Sequence, residues 1–143
     1  MTQEKEPSEI LAQMDFFRDF FRAEIDEVLA AGRWFRFAPG QTIIAEGEND
    51  LYFYILVRGR VKVVKNKKTL ATLRDGDSFG EIGAMAKTPR TAYVITQSEC
   101  YCLRFDPQRI EALPNDVQLK LLKKLLYSLA DRLTSLNRRF AVL

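Results

Sequence analysis

The sequence predicts a mainly β fold with flanking α-helices: a jelly roll (a double-stranded β-helix-like barrel) with an N-terminal helix and a long C-terminal helix. Three observations carry this. Between Trp34 and Phe105, short apolar runs alternate with turn residues every ten residues or so, the punctuation of a sandwich or small barrel. Ahead of them, apolar residues recur at three- and four-residue spacing from Ser8 to Ala31, and a leucine series does the same toward Phe140. At 143 residues, 47% hydrophobic and 29% charged, the chain is expected to form one domain, 1–143, with a core of its own.

The first helix, 8–31, carries Ile10, Leu11, Met14, Phe17, Phe21, Ile25, Val28 and Leu29 on one stripe, and Gly32 stops it. Phe16 and Phe20 widen the stripe, so the helix is expected to pack against more than one surface. The jelly roll spans 34–105. Its runs are Trp34–Phe37, Gln41–Ala45, Leu51–Val57, Val61–Val64, Thr69–Leu73, Thr91–Thr96 and Glu99–Phe105, most of them closed by glycine, proline, asparagine or aspartate. Glu46, Glu48 and Asp50 read as a turn, not a calcium loop. Cys100 and Cys102 lie two apart on a strand and so share a face, as small buried fillers. The C-terminal helices, 106–141, open with Asp106 as cap and Pro107 at the first helical position. Pro114 interrupts, Asn115 caps the last helix, and Leu122, Leu126, Leu129, Leu133, Leu136 and Phe140 step by 4, 3, 4, 3 and 4. That is a coiled-coil seam, with Leu121 and Leu125 beside it facing the barrel. It predicts a homodimer.

The segment Phe79–Ala92 interrupts the strand pattern and is too short for a crossover helix. Gly80 permits a tight entry, Glu81 to Met85 can make about one helical turn, and Pro89 forces an extended path. Unpaired amides at a helix start attract an anion. Arg90 adds a planar, permanently charged fork suited to two phosphate oxygens. Glu81 can accept a hydrogen bond from a sugar hydroxyl and would repel a second phosphate. One arginine and one hydroxyl-accepting carboxylate describe a ligand with a single negative charge and a free ribose hydroxyl, as in a cyclic nucleoside monophosphate. A triphosphate would need more positive charge and a magnesium ligand.

These residues resemble the phosphate-binding cassette of the cyclic nucleotide-binding domain family, which serves kinase regulatory subunits, gated channels and bacterial catabolite-activator-type regulators. The pattern is Phe79-Gly80-Glu81, a few small or apolar residues, then Pro89-Arg90-Thr91-Ala92. Upstream, Phe37-Ala38-Pro39-Gly40-Gln41-Thr42-Ile43, Glu46-Gly47, Leu51–Ile55 and Gly59–Val63 follow the same family's strand-and-turn signature. The resemblance implies that Glu81 binds the ribose 2′-hydroxyl and Arg90 the cyclic phosphate, with the amides of Gly80, Ile82 and Ala92 completing a cradle beside Phe79. Thr91 touches the phosphate or a guanine amino group in such an arrangement, which leaves both cAMP and cGMP open. Asn137 and Arg138 are the candidates for contact with the base. Ala84 stands where most members carry leucine, which makes one wall shallower, and Gly83 loosens the turn.

Other functions are disfavoured by what the chain lacks. Without histidine there is no imidazole-ligated haem or zinc and no serine–histidine triad. No catalytic residue, metal or cofactor is expected, and the protein is not expected to be an enzyme: Glu81 faces the sugar and nothing activates water at phosphorus. The net charge of +3 is too mild for a dedicated nucleic-acid binder, and Lys62, Lys65, Lys67 and Lys68 keep a hairpin soluble. The polar N-terminus and the absence of an apolar run near ~20 residues point to the cytoplasm and away from a membrane. The bacterial relatives carry a DNA-binding domain after the long helix; none is expected before Leu143. The expected function is therefore a regulatory sensor module read by its dimer mate or by an effector protein. Two alternatives stay open: the sensor half of a longer transcriptional regulator, and a protein-interaction module in which Arg90 and Glu81 form an internal ion pair.

Overall fold

The computed structural model describes residues 5–140, with the side chain of Phe140 outside that description. Eight strands form two four-stranded antiparallel sheets, one ordered β1-β8-β3-β6 and the other β2-β7-β4-β5. The strands are β1 (Gly32–Phe37), β2 (Thr42–Ile44), β3 (Phe53–Arg58), β4 (Arg60–Lys65), β5 (Lys68–Arg74), β6 (Ser78–Phe79), β7 (Tyr93–Thr96) and β8 (Cys100–Phe105). This is the double-sheet architecture expected, and no ladder closes it into a ring among the described residues. Glycines at positive φ, Gly40, Gly47, Gly59 and Gly76, turn the chain between strands.

Strand β3 explains why two cores coexist. Phe53, Ile55 and Val57 point to one face and pack with Leu103, Phe105 and the helices. Tyr54 and Leu56 point to the other and pack between the sheets with Val61, Leu73, Phe79, Val94, Cys100 and Cys102. A strand buried on both faces reads as an unbroken apolar run, as Leu51–Val57 does. The two cysteines are free and fully buried fillers on one face of β8. Burial pushes the Cys102 thiol up to about 12, so it stays protonated.

The expected single helix over 8–31 is instead α1 (Pro7–Ala12), a 3-10 turn (Asp15–Phe17) and α2 (Arg22–Ala31). Phe16 and Phe17 are both buried, and neighbours on an α-helix point about 100° apart. Both reach the core only if the helix breaks there; Phe17 then meets Phe20 edge-on at 5.1 Å. The Glu24 carboxylate accepts the Phe21 N–H at 2.8 Å and restarts the helix.

After β8, the Asp106 carboxylate accepts the Gln108 N–H and opens α4 (Pro107–Glu111), as the sequence predicts. The last helix, α5 (Asn115–Phe140), runs 26 residues. Val117, Leu121 and Leu125 face the core, and burying each leucine contributes roughly 2 kcal/mol. Lys120 Nζ pairs with Glu24 at 2.6 Å and clips α5 to α2. The leucine seam is split: Leu122 packs partly on the core, whereas Leu126, Leu133 and Leu136 are exposed.

Candidate functional site

The interruption between the strands folds as a hook. Strand β6 delivers Phe79, whose ring stacks on Tyr54 at 5.0 Å. Gly80 turns the chain at φ 86°, where a Cβ would lie 3.0 Å from the Tyr52 carbonyl oxygen. Helix α3 (Glu81–Ala86) follows, with Glu81 and Ala84 buried and Ile82 and Met85 exposed. Ala84 joins the core beneath the helix.

After Pro89 the backbone of Arg90 pairs with the turn that precedes β3. Its N–H donates to the Glu48 carbonyl, and its own carbonyl accepts from the Gly47 N–H, both at 2.8 Å. That pairing brings Asp50 to the guanidinium. Arg90 is 6% exposed. Its Nη2 donates to Asp50 Oδ1 at 2.7 Å and to the Tyr52 carbonyl, Nε to Asp50 Oδ2 at 3.4 Å, and Nη1 to the Gly80 carbonyl at 2.6 Å. Four of the five guanidinium hydrogens are thereby engaged, leaving one on Nη1. Gly83 makes room for this side chain: a Cβ there would sit 2.6 Å from Nη1. The residue expected only to loosen the turn is a seat for the arginine.

Glu81 is 3% exposed and does not pair with Arg90. Its partner is Arg132 of α5, with Nη1 3.6 Å from Oε1. Arg132 Nη2 also donates to the Ser78 carbonyl and to Ser128 Oγ. Among the described residues, three buried polar atoms here have no hydrogen-bond partner: Glu81 Oε2, Arg132 Nε and Ser78 Oγ. Each such orphan costs about 1–3 kcal/mol unless something satisfies it. Nearby, burial raises the Tyr54 hydroxyl to about 12, and the Asp50 charge adds to the shift.

The elements enclose an open cavity of about 180 Å³. Ile44, Val63 and Val94 give it an apolar wall, and Glu81, Arg90 and Arg132 its charge. Phe79, Gly80, Glu81, Ile82, Arg90, Thr91 and Ala92, all expected from sequence, line it together. Asn137 and Arg138 do not: both are exposed, and α5 meets the cassette at Ser128–Arg132, about 8 Å earlier along the helix. Sequence reading missed Asp50 and Arg132. Asp50 was hidden in a turn with other acids. Arg132 carried no distinguishing signal, since it lies beside Asp131 on a helix with charges along its length.

The family described as "Cyclic nucleotide-binding domain" matches residues 34–116. A cGMP-dependent protein kinase of Plasmodium berghei is 39% identical over 87 residues, which cover 61% of this chain and 10% of the kinase. The chain thus spans about a tenth of the curated relatives it matches. Among solved structures, a cyclic nucleotide-binding domain from Methylobacillus flagellatus superposes with a TM-score of 0.81 at 22% identity, covering 92% of this chain and 78% of that one. A structure described as "cAMP bound PfPKA-R" gives a TM-score of 0.74 at 23% identity, covering 94% and 46%. Both share the fold.

Proposed function

The chain belongs to the cyclic nucleotide-binding domain family, and we propose that its cavity binds one cyclic nucleotide, cAMP or cGMP, as the input of a regulatory module that has no catalysis of its own. The observation that carries this is Glu81 Oε2, a buried carboxylate oxygen without a partner, in a cavity that also holds Arg90. A ribose 2′-hydroxyl supplies the missing donor. The cyclic phosphate lies against Arg90 and the amides of Gly80, Ile82 and Ala92, and Thr91 stands at its edge. The base extends out of the cavity toward α5, whose Arg132 also lines it.

This gives the coupling a physical form. Arg132 pairs with Glu81, so a ligand that engages Glu81 changes what holds α5 in place. A ligand shifts an equilibrium only by its unequal affinity for two states, and the Glu81–Arg132 contact is where the two states differ. The exposed Leu126, Leu133 and Leu136 support a homodimer along α5 that reads the motion, or an effector protein that does. Sedimentation of wild type and Leu133→Lys tests the dimer. Two buried free thiols suit a reducing compartment, and the cytoplasm is our placement.

Calorimetric titration with cAMP and with cGMP tests the binding. Wild type is expected to bind at least one saturably, and Arg90→Ala to lose about 100-fold, the worth of a charge-assisted phosphate contact. The Asp50–Arg90 pair favours a second reading, a cassette closed on its own carboxylate that serves as an interaction module. Absence of binding to either nucleotide at millimolar concentration would select that reading.

A further inference from the structure

Where α2 hands over to β1, a second cavity of about 330 Å³ is lined by Arg33, Arg104 and Arg109, with Tyr52 and Asp106. Arg33 and Arg104 are direct cross-strand partners in the β1–β8 ladder, so their side chains leave the sheet on the same face. Like charges directly opposed on a ladder destabilise it. No ion pair offsets this: among the described residues, none of the three arginines has a carboxylate within 4.0 Å. The carboxylate that lines the cavity, Asp106, accepts the Gln108 N–H as a helix cap.

Aromatic faces hold two of the three guanidiniums instead. Arg104 lies 4.0 Å from the Tyr52 ring centroid and 4.4 Å from that of Phe35, and Arg33 lies 5.4 Å from the same Phe35 ring. A cation–π contact does not use up the guanidinium N–H groups, which can still donate to an anion. Three arginines against one aspartate leave a local excess of two positive charges. We propose that Arg33, Arg104 and Arg109 form a second anion site, separate from the cassette, for a doubly charged phosphate group. The charge count sets its ligand apart from a singly charged cyclic phosphate. The group comes either as free phosphate or as a small phosphate monoester.

Thermal melting at pH 7.5 and constant ionic strength tests this, with inorganic phosphate and glycerol phosphate as separate probes and chloride as control. In chloride, Arg33→Gln is expected to melt roughly 1–3 °C above wild type, because the opposed charge is gone. In millimolar phosphate or its ester, wild type rises saturably and the variant does not, so the order reverses. Arg33 is exposed, so its replacement leaves the fold intact. A larger rise with glycerol phosphate than with inorganic phosphate identifies the monoester as the ligand, and the converse identifies free phosphate. The proposal is overturned if neither probe gives a saturable rise, or if Arg33→Gln rises as much as wild type. Cyclic nucleotide binding by Arg33→Gln is expected to be unchanged, which separates this site from the cassette.

Discussion

If Arg132 holds α5 to the cassette through Glu81, the two residues must be coupled in stability. At 3.6 Å and an effective dielectric near 20, the Coulomb attraction is of order 4–5 kcal/mol. The Arg132 side chain is 32% exposed, and desolvating Glu81 offsets most of the remainder, so the expected coupling is about 1–2 kcal/mol. The test is a double-mutant cycle of Glu81→Gln and Arg132→Ala, read by urea unfolding at pH 7. Arg132→Ala also takes a donor from the Ser78 carbonyl, but that loss occurs in both backgrounds and cancels in the cycle. The double variant is therefore expected to lose about 1–2 kcal/mol less than the sum of the single variants, roughly 3–8 °C in Tm. Additivity within about 0.5 kcal/mol would show that Glu81 and Arg132 merely lie near one another, and the link from cassette to helix would be gone.

Gly83→Ala decides a sign. Within a helix this change normally stabilises by about 1 kcal/mol, but here the new methyl would press on Arg90 Nη1 at 2.6 Å. A net loss of about 1–2 kcal/mol is expected in the urea midpoint, with weaker nucleotide binding; a stabilised variant would contradict the seat assigned to Arg90. The α2–α5 clip predicts a pH dependence. Lys120 foremost, then the Phe21 N–H, hold the Glu24 carboxyl below its usual 4.5. Its contribution is thus fully present above pH 4.5 and is lost as pH falls through the lowered native value. Glu24→Gln should flatten that part of the acid limb in unfolding measured from pH 7 to pH 3, and an unchanged limb would exclude the clip.

What the sequence revealed follows from how local each signal is. Most strands were legible because they end in a residue with its own backbone reason to turn, as at Gly40, Gly59 and Gly76, whereas the two-residue β6 is too short to leave a pattern. The cassette was legible because its cavity-lining residues fall within one fourteen-residue run, 79–92. The charge partners were not: Asp50 lies 40 residues before Arg90, and Arg132 reaches the cassette from a different helix. No spacing rule links them, and so the Arg90–Glu81 pair that the sequence left open as an alternative gives way to two pairs with partners outside the run. The break near Phe16 escaped for a related reason. A continuous helix satisfies the periodicity equally well, and only the need to bury adjacent aromatic rings rules it out.

The role proposed for Glu81 rests on one hydrogen bond, accepted from a ribose 2′-hydroxyl. Affinity for cAMP measured against its 2′-deoxy analogue isolates that bond. Wild type should bind the analogue about 10–100-fold more weakly, the worth of a hydrogen bond to a charged group, and Glu81→Gln should narrow the gap. Equal affinity of wild type for the two ligands would mean that Glu81 does not read the sugar.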